Sequence, residues 1–334
     1  MEKSRVWRPR VTLAMDGGTR ARLLTPALAA RLAAVADVAP GPPAADFTDL
    51  DAVKGTEILL TGWGAPRVDS RALEAMPDLR AVTHAAGSVK PFVAPEVFER
   101  GVLVTSAAEV NAIPVAEFTF AAVVLAANRV PALVRDYRRT RDYGVRDRAG
   151  GTNGITVGVV GASRVGRRVL GLLRALDATL LIADPYLSDP GARALGASRV
   201  PLDDLMSRSG IVTLHAPELP ATRHMIGARQ LRAMKDGAVL INTARGSLVD
   251  ETALIAELRT GRIEAVLDVT DPEPPPPDSP LWALPNLTLT PHIAGATGSE
   301  VARLMESAIA EIEALAAGRP PRHPVTLADL ERMA

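Results

Sequence analysis

The chain has 334 residues, of which 47% are hydrophobic and 23% are charged. This length allows two domains with separate cores, and the composition is that of a globular protein rather than a disordered chain. Lysine and arginine together number 38, as do aspartate and glutamate, so the formal net charge is zero and a nucleic-acid partner is disfavoured. Cysteine is absent and the five histidines lack ligand spacing, which excludes disulfides and thiol catalysis and argues against a metal site.

Two features concern the location of the protein. The N-terminal stretch MEKSRVWRPRVTLAM is charged and lacks the apolar core of a signal peptide. The longest apolar run, residues 120–127, is too short to cross a bilayer. We therefore expect a cytoplasmic protein with no membrane partner.

Short apolar strands alternate with helical segments in the first third of the chain. Strands are predicted at residues 11–15, 57–63, 79–85 and 102–107, and helices at 23–36 and 95–100. This alternation predicts a parallel sheet covered on both faces. The apolar residues 115–128 predict a buried helix, and the basic residues 135–151 after it predict a polar connector between domains.

A second alternation begins at residue 155. Strands are predicted at residues 155–160, 179–183, 211–215, 238–243, 265–269 and 287–290, with a helix at 164–176 after the first of them. Residues 271–280 are rich in proline, which lacks a backbone donor, and predict a rigid loop. A last helix is predicted over residues 298–318.

The stretch VGVVGASRVGRRV is close to the dinucleotide-binding pattern Gly-x-Gly-x-x-Gly. Gly161 and Gly166 are in place, and Ser163 stands where the middle glycine belongs. An apolar strand precedes this loop, a helix follows it, and Asp184 ends the next strand, which is the context that binds a pyrophosphate and a ribose diol. Glycines are common at any strand-to-helix turn, but Asp184 has no evident structural need at this spacing. It also repels a 2′-phosphate, which favours NAD over NADP.

Three side chains with complementary chemistry follow successive predicted strands. Arg245 can clamp a carboxylate, His292 can move a proton, and Glu273 can hold and charge that histidine. Each also has an ordinary interpretation, as a surface arginine, a histidine satisfying a backbone carbonyl and a solvated loop acid. Their occurrence at consecutive strand ends, downstream of a nucleotide loop, indicates an active site.

The motifs VGVVGASRVGR, NTARGSLVDE, LDVTDPEP and PHIAGAT are similar to those of D-isomer-specific 2-hydroxyacid dehydrogenases, and the resemblance spans nearly the whole chain. It implies that Arg245, Glu273 and His292 are catalytic. It implies a substrate-binding role for Gly87 and Ser88 in the loop AAGSVKP, together with Arg245 and His292. It implies contacts to NAD from Gly161, Ser163, Arg164, Val165, Gly166, Asp184, Pro217, Thr222, Thr243, Ala244 and Asp268.

The expected fold consists of two doubly wound α/β domains with an active-site cleft between them. Residues 1–126 and 297–334 are predicted to form a flavodoxin-like substrate domain, and residues 127–296 a Rossmann NAD domain. The resemblance implies hydride transfer between NAD and a small D-2-hydroxy acid, in a homodimer. The substrate loop lacks the family's usual Gly-x-Asp-Asn pattern and contains Lys90, so the particular acid stays open, as does the physiological direction.

One alternative from another class has the same fold. An NAD(H)-sensing, corepressor-like binding protein would need little turnover, but it would need a partner-binding surface that the sequence does not reveal. A formate dehydrogenase is disfavoured, because that branch has glutamine where Glu273 stands, whereas the three residues do not separate a phosphite dehydrogenase. Consumption of NADH with a panel of 2-oxo acids distinguishes these functions.

Overall fold

The computed structural model describes residues 7–330, and the chain forms two compact units. The first unit ends at Asn111 and resumes at Ala296, and the second comprises Ala112–Gly295. The first unit is therefore discontinuous along the chain. Its two boundaries differ from those predicted at 126/127 and 296/297.

The described residues contain thirteen strands in chain order. They are β1 (Arg10–Ala14), β2 (Asp37–Val38), β3 (Ile58–Thr61), β4 (Ala81–His84), β5 (Leu103–Ser106), β6 (Ile155–Val160), β7 (Ala178–Ala183), β8 (Ser198–Arg199), β9 (Ile211–Leu214), β10 (Val239–Asn242), β11 (Glu264–Leu267), β12 (Leu287–Leu289) and β13 (Pro324–Val325).

Fourteen α-helices lie between residues 7 and 330. They are α1 (Gly17–Leu23), α2 (Pro26–Val35), α3 (Leu50–Val53), α4 (Ser70–Ala75), α5 (Pro95–Glu99), α6 (Ala108–Ala127), α7 (Val130–Thr140), α8 (Arg164–Leu173), α9 (Asp189–Ala194), α10 (Leu202–Arg208), α11 (Ala228–Ala233), α12 (Glu251–Arg259), α13 (Glu300–Ala316) and α14 (Leu327–Leu330). Short 3₁₀ helices occur at Tyr143–Arg148, Pro220–Thr222, Gly246–Leu248 and Pro280–Ala283.

The sheet of the first unit has six strands in the order β13-β5-β4-β3-β1-β2. All neighbours are parallel except β13, which pairs antiparallel with β5. Its central strand β3 is buried along its whole length, as expected for a strand covered on both faces. The order of β2-β1-β3-β4-β5 is that of a flavodoxin-like sheet, which confirms the predicted fold class.

The sheet of the second unit has seven parallel strands in the order β12-β11-β10-β9-β6-β7-β8. This is the Rossmann order with one strand added beyond β11. The direction of winding reverses between β6 and β9, and the chain leaves the carboxyl ends of these two strands at Gly161 and His215. Ligands of open parallel sheets bind at such a switch point.

Helix α6 explains why the first boundary is earlier than predicted. Its buried residues Ala116, Val123 and Ala126 pack in the same core as Val159 and Ile241 of the second sheet. The apolar sequence of this helix predicts burial but does not reveal which sheet it covers. Alone, α6 is long and apolar enough to cross a membrane, but packing of this kind is typical of a core helix.

The predicted polar connector over residues 135–151 contains regular structure. The segment forms the end of α7 and the 3₁₀ helix Tyr143–Arg148. Asp136 organises it, because Arg148 Nη2 lies 2.8 Å from its carboxylate and Arg139 Nη2 lies 3.6 Å from it. These arginines, with the Arg148 hydrogen bond first, lower the pKa of the Asp136 carboxyl.

The other long elements lie within a few residues of their predicted bounds. The helix predicted at 23–36 starts later, at Pro26, because Thr25 is its N-cap. Residues 271–280 have no regular strand or α-helix, as predicted. The two-residue strands β2, β8 and β13 are too short to produce a periodic signal in the sequence.

Candidate active site

Gly161 and Gly166 let the loop after β6 approach its surroundings closely. Gly161 has a φ of +98°, and a Cβ there would lie 2.6 Å from the Ala216 backbone nitrogen. A Cβ on Gly166 would lie 2.1 Å from the Gly161 carbonyl oxygen. Real side chains do not tolerate these distances, so both predicted glycine positions require glycine.

Ser163 replaces the middle glycine without strain. Its φ is −64°, and its hydroxyl oxygen accepts a hydrogen bond from the Gly166 nitrogen at 3.2 Å. Ser163 is therefore the N-cap of α8, whose first residues are Arg164 and Val165. Like any helix N-terminus, this one presents N–H groups without helical partners, which is the arrangement that binds a pyrophosphate.

Asp184 follows β7 and contacts the same loop. Its Oδ2 accepts from the Ala162 nitrogen at 2.7 Å, and its Oδ1 accepts from the Tyr186 nitrogen at 2.8 Å. The inference from the sequence that this carboxylate has no structural need is therefore wrong. Asp184 ties the loop after β6 to the end of β7, and thus holds its own charge beside the loop.

A cleft of about 410 Å³ opens beside Asp184. It is lined by Val160, Ala183, Asp184, Pro185, Asp189, Arg199, Val200, Pro201, Leu202 and Met225. Apolar walls with a few charged groups are typical of a site for a cofactor moiety. Three features together fit a bound dinucleotide. They are a loop with no room for a Cβ at Gly161 or Gly166, a helix with an N-cap at Ser163, and this cleft.

Most of these lining residues were not predicted from the sequence. Arg199 belongs to the two-residue strand β8, and its Nε lies 2.6 Å from Asp189 Oδ1. This pairing lowers the pKa of the Asp189 carboxyl, with the hydrogen bond from Arg199 as the largest cause. The sequence does not predict this ion pair, because Arg199 and Asp189 are separated by ten residues and no regular periodicity connects them.

Pro217 and Thr222, two of the expected NAD contacts, lie in the segment after β9. The Thr222 hydroxyl donates to the Pro217 carbonyl at 2.6 Å and accepts from the Leu219 nitrogen at 2.9 Å. These bonds fold the segment into a compact turn. Contact of either residue with the cofactor stays a prediction.

His292 and Glu273 meet as predicted. Glu273 Oε1 lies 2.6 Å from His292 Nδ1, and both side chains are about half exposed. His292 has a φ of +53°, so its backbone is in the left-handed region. The two residues follow the neighbouring strands β12 and β11, whose parallel pairing brings their carboxyl ends to one edge of the sheet.

Asp268 is buried and holds the backbone around His292. Its Oδ1 accepts from the Thr290 hydroxyl at 2.6 Å and from the Ile293 nitrogen at 2.8 Å, while its Oδ2 accepts from the Ala294 nitrogen at 2.8 Å. Its carbonyl also accepts from the His292 nitrogen at 3.0 Å. The structure thus gives Asp268 a supporting role that the sequence did not indicate, and its predicted contact with NAD stays a prediction.

Arg245 follows β10, the strand on the other side of β11. Asn242, which is fully buried, donates from Nδ2 to the Arg245 carbonyl at 2.8 Å and accepts from the Ala244 nitrogen at 3.1 Å. Arg245 Nη1 donates to the Ala244 carbonyl at 2.7 Å, and its Nε lies 3.8 Å from Glu218 Oε2. The guanidinium is therefore oriented by its own strand end while remaining partly exposed.

Thr243 lies between Asn242 and Ala244 at the end of β10. Its hydroxyl shares a 2.8 Å hydrogen bond with the hydroxyl of Thr119 on α6. The bond ties the strand end to the core helix of the same unit. The predicted backbone contacts of Thr243 and Ala244 with the cofactor stay predictions.

Gly87 and Ser88 lie in the first unit, after β4. A Cβ on Gly87 would meet Asn111 Nδ2 at 3.6 Å, which is an ordinary contact, so Gly87 does not require glycine for space. The Ser88 hydroxyl accepts from the Lys90 nitrogen at 3.3 Å. Their predicted role in substrate binding stays a prediction.

The carboxyl ends of β10, β11 and β12 thus carry a guanidinium, a carboxylate and an imidazole in neighbouring positions of one sheet. Such a set can bind an anionic substrate and transfer a proton. Among the described residues, no three His, Asp or Glu side chains are placed so as to hold a metal ion.

Comparison with known proteins identifies related chains. The sequence profile described as "D-isomer specific 2-hydroxyacid dehydrogenase, NAD binding domain" matches residues 120–294. A D-3-phosphoglycerate dehydrogenase of Archaeoglobus fulgidus is 34% identical over 271 residues, which are 79% of this chain and 50% of that protein. A glyoxylate reductase of Korarchaeum cryptofilum is 34% identical over 284 residues, which are 81% of this chain and 83% of that protein.

The solved structures also include a similar protein. The TT0316 protein of Thermus thermophilus superposes with a TM-score of 0.73 at 30% identity, covering 95% of this chain and 100% of that one. The chain spans about half the length of the phosphoglycerate dehydrogenases that it matches. The profile match confirms NAD as the predicted cofactor of the second unit.

Proposed function

Because the chain belongs to the family of D-isomer-specific 2-hydroxyacid dehydrogenases, we propose that it interconverts a D-2-hydroxy acid and its 2-oxo acid with NAD as the hydride carrier. The observation that carries this proposal is the 2.6 Å contact between His292 and Glu273 at the ends of β12 and β11, in the same sheet as the end of β10 that carries Arg245. Half exposure of both side chains leaves them within reach of a small substrate.

The histidine is the acid and base of the proposed reaction. A carboxylate at Nδ1 selects the tautomer that carries hydrogen on Nδ1, which leaves Nε2 as the nitrogen that exchanges a proton. In reduction, the imidazolium gives the Nε2 proton to the oxygen of the 2-oxo group. In oxidation, neutral Nε2 takes the hydroxyl proton, and Glu273 stabilises the charge that forms on the ring.

Arg245 is the substrate clamp of the proposed reaction. Two of its five N–H directions face the Ala244 carbonyl and Glu218, which leaves others for the substrate. A planar guanidinium binds a carboxylate with two parallel hydrogen bonds and polarises a neighbouring 2-oxo group. Gly87 and Ser88 are proposed to bind the same carboxylate through their backbone.

Bound NADH supplies the hydride for reduction. The residues that would hold it are Gly161, Ser163 and Gly166 at the pyrophosphate, Asp184 at the ribose and Thr243, Ala244 and Asp268 at the nicotinamide end. Buried Asp268 positions the loop of His292 beside this end through three hydrogen bonds.

The test is NADH oxidation with glyoxylate, pyruvate, hydroxypyruvate, phenylpyruvate and 2-oxoglutarate. At least one acid should be reduced, and His292→Ala should lower kcat on the order of 10²-fold or more while NADH still binds. Glu273→Gln should lower kcat less, because glutamine still accepts the Nδ1 hydrogen but does not stabilise the imidazolium. Asp278→Asn, a change at an exposed acid in the same loop, is the matched control.

Three outcomes contradict the proposal. NADH binding without reduction of any acid would favour the NAD(H)-sensing protein of the same fold. Full activity of His292→Ala would remove the histidine from the reaction. Failure to bind NADH would overturn both functions.

A further inference from the structure

Glu218 is a carboxylate beside the proposed substrate clamp, and no role was predicted for it from the sequence. It follows Pro217 in the segment after β9. Its Oε1 accepts a hydrogen bond from the Ser247 hydroxyl at 2.7 Å, and its Oε2 lies 3.8 Å from Arg245 Nε. One carboxylate therefore bridges the clamp and a hydroxyl two residues further along the chain.

The backbone around this bridge is built rigidly. Ser247 is buried, and its carbonyl accepts from the His224 nitrogen at 2.8 Å. The next carbonyl, of Leu248, accepts from the Ile226 nitrogen at 3.0 Å. The segment that carries Glu218 and the segment that carries Arg245 are thus hydrogen-bonded to each other, which keeps the two charges together.

The two arginines near Glu218 each have an acidic partner in the protein without a substrate. Glu218 offsets Arg245, and Asp271 Oδ2 lies 3.1 Å from Nη2 of Arg223, the arginine of the segment after β9. A substrate with one carboxylate can use the remaining N–H groups of Arg245. A second anionic group would meet the Glu218 carboxylate with the nearby guanidinium groups already paired.

We propose that Glu218 restricts the substrates of this protein to small 2-oxo and 2-hydroxy acids that carry a single negative charge. This inference rests on the proposed function, and in particular on Arg245 as the clamp. The Glu218 carboxylate lies 3.8 Å from Arg245 Nε, well inside the Debye length of ~8 Å at physiological salt, so salt does not screen its charge from that guanidinium. A phosphate group adds about −1.5 to −2 charge at neutral pH, which makes phosphorylated acids the least favoured.

The test compares two ligands that differ only in the phosphate. Binding of D-glycerate and D-3-phosphoglycerate to the protein saturated with NADH is measured by calorimetry, since a hydroxy acid cannot react with NADH. The affinity for D-glycerate should exceed that for D-3-phosphoglycerate by roughly tenfold or more. The ratio of kcat/KM for hydroxypyruvate over phosphohydroxypyruvate should show the same preference.

Glu218→Gln keeps the shape and can still accept from Ser247, but it removes the charge. It should reduce the preference by roughly fivefold or more, mainly through tighter binding of the phosphorylated ligand. Ser247→Ala keeps the charge but releases the carboxylate, and should reduce the preference less. Asp236→Asn, which neutralises the exposed acid paired with Arg262 in the same unit, should leave the preference unchanged.

Two results overturn the inference. One is equal or tighter binding of D-3-phosphoglycerate by the unsubstituted protein, and the other is an unchanged preference in Glu218→Gln. If both ligands bind but no 2-oxo acid is reduced, the proposed function fails while the affinity ratio still decides the role of Glu218. If neither ligand binds to the NADH complex, the inference fails with the clamp.

Discussion

The proposed binding of the substrate carboxylate by Arg245 requires the planar shape of the guanidinium as well as its charge. The Ala244 carbonyl and Glu218 already orient this group. Arg245→Lys keeps a positive charge but replaces the two-pronged donor with a point charge. We expect kcat/KM to fall on the order of 10²-fold, with the Kd of NADH changing less than about twofold. Steady-state kinetics and NADH fluorescence titration measure the two quantities.

The matched control for this change is Arg259→Lys at the exposed end of α12. It should leave both quantities unchanged. A lysine at position 245 that retains kcat/KM within a few-fold would mean that another group holds the substrate carboxylate.

We also propose that the Asp184 side chain selects the dinucleotide. Its carboxylate is held in place by the Ala162 and Tyr186 nitrogens, so a 2′-phosphate would meet a fixed negative charge. We expect a preference for NADH over NADPH of roughly a hundredfold, falling by roughly tenfold in Asp184→Asn. Calorimetry with both cofactors measures it.

Asp177 precedes β7 just as Asp184 follows it, so Asp177→Asn removes the same charge at the opposite end of one strand. This control should retain the full preference. Equal affinity of the unsubstituted protein for the two cofactors would remove Asp184 from the selection.

The close approach of helix α8 to the end of strand β6 fixes the conformation of the cofactor loop between them. Gly166→Ala would place a Cβ 2.1 Å from the Gly161 carbonyl oxygen and force the helix away from the strand. We expect the free energy of unfolding to fall by ~1–3 kcal/mol. We also expect NADH affinity to fall by roughly tenfold, because the helix N-terminus moves from the pyrophosphate position.

Gly171→Ala is the matched control on the same helix. A Cβ there meets nothing within 4 Å, and alanine is the better helix former by about 1 kcal/mol. It should preserve or raise stability and leave NADH affinity unchanged. Equal effects of the two alanines would mean that the loop tolerates displacement.

At the scale of the whole molecule, each unit contains a buried histidine at the end of a strand. Burial lowers the pKa of both His84 and His215 from 6.5 to about 3. The unfolded chain therefore binds protons below pH 6.5 that the folded chain does not, and stability is lost as the pH falls through that window. Stability from this source is fully present only above the unfolded value.

We expect the free energy of unfolding to fall between pH 7.5 and pH 5.5 by about 1.4 kcal/mol for each of the two histidines. Guanidinium denaturation at the two pH values, followed by circular dichroism, measures the change. His84→Gln and His215→Gln should each destabilise the protein but flatten its pH dependence. A pH dependence that is the same in both variants as in the unsubstituted chain would contradict this assignment.

The sheets and the chemical groups at their carboxyl ends could be predicted from the amino-acid sequence. Strands such as β6 and β9 are buried on both faces, so their sequences are mostly apolar and can be distinguished from the flanking segments. Because parallel strands end at one edge of a sheet, Gly161, Asp184, Arg245, Glu273 and His292 could be assigned to one candidate site from their positions after these runs. Ser163 was also tolerated as predicted, since its φ is −64°.

The pairs of surfaces and charges that contact each other became known from the three-dimensional structure. It assigned most of α6 to the second unit and made a helix of the basic residues around Asp136. It also revealed Glu218 beside Arg245 and Ser247, the second of which is 29 residues away along the chain. Periodicity reports which face of an element is buried, whereas the partner of a side chain depends on how distant segments pack, and a local pattern carries no information on that packing.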